Sequence, residues 1–304
     1  MMNVDRAGLT ARALIAESRL TTRDAELLLL GLLGKDRAWL YSRGDEPLAL
    51  SVQQDYQRYV ERRRAGEPIA YILGQREFWS MSLRVAPGVL IPRPDTELLV
   101  EWALELLDTD DSQDPVAQTD SRGISQCRHS CLDLGTGSGA IALALKKERP
   151  NLRVTAVDAS DDALAIAQDN GRRLGLAVEW LKSDWFETLA GRRWPLIVSN
   201  PPYIAAEDPH LSEGDLPSEP ASALVSGIDG LDAIRQIVAD STRQLLPGGW
   251  LCLEHGWDQA AVVRALLESA GFVSVQSRRD LAGHERVSGG QFPNSQTVQG
   301  ASNG

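Results

Sequence analysis

Residues 131–148 read CLDLGTGSGAIALALKKE. The short apolar run around Asp133 has the length of a strand buried on both faces. AIALALKKE has the composition of a helix. Between them stand Gly135, Gly137 and Gly139, separated by Thr136 and Ser138. Alternate glycines let a chain turn sharply from strand to helix and let a ligand approach the backbone with no Cβ in the way. Working outward, the next apolar run, RVTAVD, ends in Asp158. A carboxylate at that position accepts hydrogen bonds from the ribose hydroxyls of an adenosine. The spacing is GxGxG, whereas a dinucleotide requires the longer GxGxxG with its pyrophosphate at the helix N-terminus. Gly135, Thr136, Gly137, Ser138, Gly139 and Asp158 therefore predict a nucleoside cofactor site.

The alternation continues. DDALAIAQDNGRRLG reads as a helix, and VEWLKSD, PLIVSN and GWLCLEHG read as further strands. Buried strands alternating with helices predict an α/β, Rossmann-like domain: a parallel sheet covered on both faces. The third strand ends in Ser183-Asp184-Trp185-Phe186. An aspartate there suits an adenine edge, and Trp185 suits either stacking on the base or the core.

Directly after the apolar PLIVS stands Asn200-Pro201-Pro202-Tyr203. Ligands bind beyond the carboxyl ends of strands in open sheets of this kind. Two successive prolines fix φ and remove N–H donors, so the turn presents carbonyls in a stiff arrangement. Asn200 Oδ1 and the Pro201 carbonyl are two acceptors suited to the two hydrogens of a planar amide or amine, and Tyr203 offers it a flat face. An amide nitrogen is a poor nucleophile, because its lone pair is delocalised. To attack a sulfonium methyl it must be held by its own N–H groups and turned in line. These four residues are read as both catalytic and substrate-binding.

Residues 5–75 read as helical. Thr22 is placed to cap a helix whose Leu27, Leu28, Leu30 and Leu32 face a core. Ser51 and Gln54 form a capping box ahead of Val52, Tyr56, Tyr59 and Val60. Gly66 and Pro68 stop that helix, and Arg62, Arg63 and Arg64 in its last turn suit a solvated end or a binding patch equally. Phe78, Trp79, Met81, Leu83 and Val85 alternate with Ser80, Ser82 and Arg84 in a strand or hairpin between two domains. Then IPRPDTELLVEWALELL turns into a helix from about Asp95, and residues 108–130 are a long polar loop. The tail from 292 reads as disordered.

The net charge of −11 over 304 residues argues against a long nucleic-acid surface and fits a basic protein partner. The cysteines are Cys127, Cys131 and Cys252, a sparse odd count that suits a reducing compartment. CRHSC matches no common zinc spacing, so no metal is expected. No apolar run approaches the roughly 18–20 residues needed to span a bilayer, no targeting segment is evident, and the cytoplasm is the expected location.

Together these motifs resemble the glutamine-N5 methyltransferases of peptide-chain release factors (the HemK/PrmC family). The resemblance extends from about Asp5 to Gly290. It is carried by RDAELLL, RRRAGEPIAYILGQREFW, LIPRPDTELLVEWAL, DLGTGSGAIALAL, SDWF, IVSNPPYI, the pair Glu219-Pro220, GIDGLDAIRQI and LEHG. It implies a helical substrate-recognition domain over 1–76, a hairpin linker over 77–92, a seven-stranded methyltransferase domain over 93–291 and a tail over 292–304. It implies S-adenosylmethionine contacts from Gly135 to Gly139, Asp158, Trp185 and Asn200, with Asn200 to Tyr203 holding the glutamine of a Gly-Gly-Gln loop. The partner implied is a release factor, with no membrane and no direct nucleic acid. The alternative is an amino-methyltransferase of DNA or RNA bases, which share the same NPPY problem. No general base is assigned. Glu254 and His255 end a strand and suit either the site or the core, as Arg93 and Asp95 suit either the pocket or a helix start. Two departures stand out: the length of the 108–130 loop, and RVSGGQF, in which Gly289-Gly290-Gln291 repeats the substrate motif by chance.

Overall fold

The computed structural model describes residues 8–109, 118–119, 125–126 and 129–294. The chain forms two compact units, one running to Gln75 and including Ser212–Ser218, the other made of Arg76–Leu211 and the chain from Glu219 onward.

The first unit is helical: α1 (Ala11–Glu17), α2 (Thr22–Leu33), α3 (Arg37–Arg43), α4 (Leu50–Arg64) and α5 (Ile69–Leu73). Thr21, not Thr22, caps α2, accepting the Asp24 N–H at 3.1 Å. Leu28, Leu29 and Leu30 are buried while Leu27 is 44% exposed, so the apolar face is turned from the one expected. The expected capping box at Ser51 is absent. Ala49 precedes α4 without a side-chain cap, and Ser51 lies inside the first turn. Gln53 orders this entry instead, donating to the Leu48 carbonyl at 2.9 Å. Tyr56 and Val60 reach the core with Leu28, Leu29 and Ile72. The three arginines that close α4 are all hydrogen-bonded, Arg62 and Arg64 on the exposed surface and Arg63 half-buried. Arg62 holds Glu67 at 2.7 Å, Arg63 bridges Asp24 at 3.0 Å and Asp215 at 2.8 Å, and Arg64 donates to the Ser18 carbonyl.

The second unit opens with β1 (Gln75–Phe78) and β2 (Met81–Arg84), a two-stranded sheet. Both turn residues, Trp79 and Ser80, have φ +52, a left-handed conformation costly for side chains of their size. Three contacts hold Trp79: its N–H donates to Glu97 at 2.9 Å, its indole to Glu148 at 2.8 Å, and its carbonyl accepts from Lys147 at 2.9 Å. A 3₁₀ turn (Pro94–Thr96) leads into α6 (Glu97–Thr109). Within the expected long loop, β3 (Gln118–Thr119) pairs with β4 (Ser125–Gln126). Most of the loop, including Cys127, lies outside the described residues.

There follow β5 (Ser130–Leu134), α7 (Ala140–Glu148), β6 (Arg153–Asp158), α8 (Asp161–Leu174), β7 (Glu179–Lys182) and β8 (Trp194–Ser199). After three short 3₁₀ turns come α9 (Asp232–Gln244), β9 (Leu245–Glu254), α10 (Ala260–Ser269), β10 (Val273–Arg279) and β11 (Glu285–Gln291). One seven-stranded sheet has the order β10-β11-β9-β8-β5-β6-β7. The strands from β9 to β7 are parallel, but β11 runs antiparallel to both β9 and β10. The sheet is mixed, not purely parallel as the alternation alone implied. The pleat sends Cys131, Leu196, Val198 and Cys252 to the face under α6 and α7, and Leu132, Ile197, Leu251 and Leu253 to the face under α9 and α10.

Gly289 and Gly290 sit within β11 opposite Cys252 and Leu251. A Cβ on Gly289 would fall 2.6 Å from the Leu251 carbonyl oxygen and 2.8 Å from Trp102. Close packing accounts for these glycines without any substrate-like role. Phe292, where a tail was expected to begin, exchanges two backbone hydrogen bonds with Gly248 and Gly249. Residues 295–304 lie outside the described residues. No helix is long and apolar enough to cross a membrane, and no group of candidate metal ligands occurs among the described residues.

Candidate active site

The carboxyl ends of β5, β6 and β8 meet at one edge of the sheet. After β5, Gly135, Gly137 and Gly139 adopt φ of +68, +56 and +85, which is why side chains are excluded there. Thr136 ties the loop down: its N–H bonds Val157 O at 2.9 Å and its hydroxyl bonds Asp133 Oδ2 at 2.6 Å. Burial pushes the wholly buried Asp133 carboxyl up to about 7, against the opposing pull of Thr136 and the Ala142 N–H. Asp158 accepts the Gly137 N–H at 2.9 Å and the Ser160 N–H at 2.9 Å. A carboxylate has about four acceptor sites, so capacity remains toward the cleft. Burial raises its pKa, and those N–H groups oppose the rise.

Gly135, Gly137, Asp158, Ser183, Asp184, Trp185, Asn200 and Pro202 line a single cleft of about 770 Å³, a volume that includes its open mouth. Trp185 sits at φ +44, and a Cβ on Gly135 would touch its ring at 3.4 Å. Its ring both walls the cleft and packs on the apolar layer under α9, so the two readings of it coexist. Thr136, Ser138 and Gly139 shape the loop without lining the cleft. The Ser138 carbonyl accepts Asn170 Nδ2 at 2.9 Å, and a Cβ on Gly139 would come 3.0 Å from Trp180. The opposite wall, from Val89, Leu90 and Pro220, was not assigned from sequence. Glu219, its side chain fully buried, fastens that wall by accepting the Ile91 N–H at 2.9 Å and pairing with Arg93. Its signals in the sequence were the Glu219-Pro220 pair and the LIPRPD stretch that begins at Leu90.

At the end of β8, Asn200 Nδ2 donates to Thr96 Oγ1 at 3.1 Å, while Asn200 Oδ1 is buried with no partner among the described residues. Behind it lies Glu254, 2% exposed, whose carboxyl burial pushes up to about 7. The Asp95 charge adds to that rise, and hydrogen bonds from Thr96 and Asn200 and the Arg286 charge oppose it. Pro202 reaches the cleft; Pro201 is buried and Tyr203 half-buried, and neither lines it. The Tyr203 carbonyl accepts Gln259 Nε2 at 2.9 Å, and Gly230 packs so close that a Cβ would fall 2.3 Å from that oxygen. Burial, reinforced by the Glu254 charge, raises the Tyr203 hydroxyl pKa. His255 turns away from the site, its ring between the Gly256 carbonyl at 2.8 Å and Ser288 at 2.7 Å. Asp95 pairs with Arg286 at 3.4 Å. Thr96 was not singled out from sequence at all.

Residues 4–74 match the PrmC N-terminal domain family, and residues 121–213 match the methyltransferase small domain family. The release factor glutamine methyltransferase of Pseudomonas aeruginosa is 52% identical over 88% of this chain and 92% of its own length. That of Xylella fastidiosa is 49% identical over 91% of this chain and 96% of its own. The chain belongs to the release factor glutamine methyltransferase family. Among solved structures, the hMettl16 catalytic domain in complex with a MAT2A 3′UTR hairpin superposes with a TM-score of 0.56, covering 88% of this chain and 92% of that one. At 14% identity that likeness concerns the fold alone, and family membership rests on the sequence relatives.

Proposed function

We propose that this chain transfers a methyl group from S-adenosylmethionine to the side-chain amide nitrogen (N5) of the glutamine in the Gly-Gly-Gln loop of peptide-chain release factors. The observation that carries this reading is the unpartnered, buried Asn200 Oδ1 at the rim of a cleft lined by Gly135, Gly137, Asp158 and Trp185. A buried acceptor without a donor is costly, and an incoming N–H relieves the cost. The cleft residues fit the donor: Asp158 receives the ribose hydroxyls, the glycines admit the chain close to the backbone, and Trp185 covers the base. When bound, S-adenosylmethionine supplies an electrophilic methyl group on a sulfonium.

Asn200 Oδ1 and the Pro201 carbonyl take the two hydrogens of the glutamine amide, and Tyr203 offers its flat face to the amide plane. This grip turns the nitrogen lone pair in line, so catalysis is mostly positioning and electrostatics. No residue acts as a base before attack. Even with its pKa raised, Glu254 is far too weak to deprotonate an amide, and proton loss accompanies or follows attack. The helical unit carries recognition of the release-factor body, and the expected location is the cytoplasm.

Mass spectrometry of release factor incubated with the enzyme and S-adenosylmethionine tests the proposal: a single methyl on the glutamine is expected. With tritiated donor and tRNA, rRNA, DNA and release factor as competing acceptors, label on nucleic acid alone would overturn it.

A further inference from the structure

Asn200 is effective in only one of two nearly isosteric orientations. With Oδ1 outward it accepts from the substrate amide; rotated by half a turn about χ2 it would present N–H donors to N–H donors. Something must choose between these states, and the sheet register supplies it. In the parallel pairing of β8 and β9, Ser199 stands opposite Leu253, so Asn200 and Glu254 follow side by side at the same edge. Thr96, the last residue of the 3₁₀ turn before α6, faces both. We propose that Thr96 and Glu254 are positioning residues that clamp the Asn200 amide with its nitrogen inward, leaving Oδ1 to receive the reacting amide. This inference rests on the function proposed above.

The polarity of the clamp follows from donor counting. In its ionised form, which prevails above about pH 7, the Glu254 carboxylate offers only acceptors, and a hydroxyl has one proton to give. The Thr96 hydroxyl bonds Glu254, leaving its lone pairs for Asn200 Nδ2. A flipped Asn200 would turn its oxygen toward the Glu254 carboxylate and strand two donors at the rim. The other charges facing Glu254 are committed elsewhere: Asp95 pairs with Arg286 at 3.4 Å, and Arg286 also holds Asp280 at 3.2 Å. Glu254 Oε2 has no partner among the described residues, so a single oxygen does the holding. A glutamine at this position keeps that oxygen; a leucine removes it.

Single-turnover methylation of release factor, calorimetric affinity for S-adenosylmethionine and thermal melting, measured on the full chain, test the clamp. Glu254→Leu is expected to slow methyl transfer about 100-fold with donor affinity within about threefold. It should melt only a few degrees below wild type, since an apolar side chain relieves a buried carboxyl but leaves the Thr96 hydroxyl and the Asn200 amide short of an acceptor. Glu254→Gln should recover activity to within about fivefold of wild type. In an Asn200→Ala background, Glu254→Leu should cost nothing further, because its effect passes through Asn200. Losses that multiply in the double variant, or Glu254→Leu staying within about threefold of wild type, overturn the proposal. Should Glu254→Leu fail to fold, Thr96→Val in both backgrounds gives the same comparison, with about a tenfold loss expected only where Asn200 is present. Wild-type failure to methylate release factor would remove the functional reading and the clamp together; an active wild type with insensitive variants removes the clamp alone.

Discussion

Asn200→Asp is the most searching perturbation of this site, because the structure sets a second carboxylate against Glu254. Burial already holds the Glu254 carboxyl at about 7. Two carboxylates roughly 4 Å apart, at an effective dielectric near 20, repel by about 4 kcal/mol, equivalent to about three pK units. The pair therefore keeps one proton through neutral pH, and its last proton leaves only near pH 10. While that proton remains, it bridges the two side chains, and the free Asp oxygen points outward where Asn200 Oδ1 stood. The added charge also stabilises the sulfonium ground state that methyl transfer neutralises. Single-turnover methylation near pH 7 is thus expected to lie between wild type and Asn200→Ala, the latter slowed about 10²- to 10³-fold. Above about pH 10 the Asp variant should lose rate steeply, and adding Glu254→Gln should remove that alkaline limb by supplying a permanent amide donor. A rate flat from pH 7 to well beyond 10 would refute the shared proton. A rate as low as Asn200→Ala at every pH would show that the Asn200 amide nitrogen is needed for more than orientation.

Three further outcomes follow from separate parts of the fold. Asp158→Ala should weaken S-adenosylmethionine binding about 10- to 150-fold, the value of roughly 1.5–3 kcal/mol for a charged acceptor; unchanged affinity by calorimetry removes Asp158 from the ribose. With a folded pKa above the unfolded one, Glu254 contributes stability that is complete below about pH 4.5 and lost as pH rises through about 7, on the order of 3 kcal/mol in total. The melting temperature of wild type should accordingly fall relative to Glu254→Gln between pH 5 and 8, while Asp133, raised similarly in both, cancels; parallel curves contradict the raised pKa. Gly289→Ala should lower the melting temperature by several degrees, since its Cβ would lie 2.6 Å from the Leu251 carbonyl oxygen. A neutral change would mean that β11 can shift.

Most of the sheet strands that sequence reading found are buried, although β7, read from VEWLKSD, is half-buried to exposed throughout. RVTAVD and AIALALKKE coincide with β6 and α7, because an uninterrupted apolar run or helical pattern needs no long-range information. β10 and β11 escaped because their residues are mixed in polarity and their pairing is antiparallel at the edge of the sheet. The glycine loop and Asn200 were legible because strand ends and turn residues announce themselves locally. Thr96 and the wall held by Glu219 were not, because each acts across more than a hundred positions of chain through a hydrogen bond. Helix entry misled in both directions: Thr21 took the cap instead of its neighbour Thr22, and a plausible Ser51 box went unused because Gln53 had ordered the chain first.

The segment Ser212–Ser218 belongs with the helical unit, where Asp215 answers Arg63, although it lies in sequence between the NPPY turn and Glu219. The unit that a recombination event must carry is consequently discontinuous. A chimera that takes its first 75 residues from a relative inherits Arg63 but keeps the host's Asp215 loop, and the two halves of that ion pair then have separate ancestries. Grafting both segments together should give a better-behaved hybrid than grafting the contiguous stretch alone. Divergence within the family is expected to change these two pieces of chain in step.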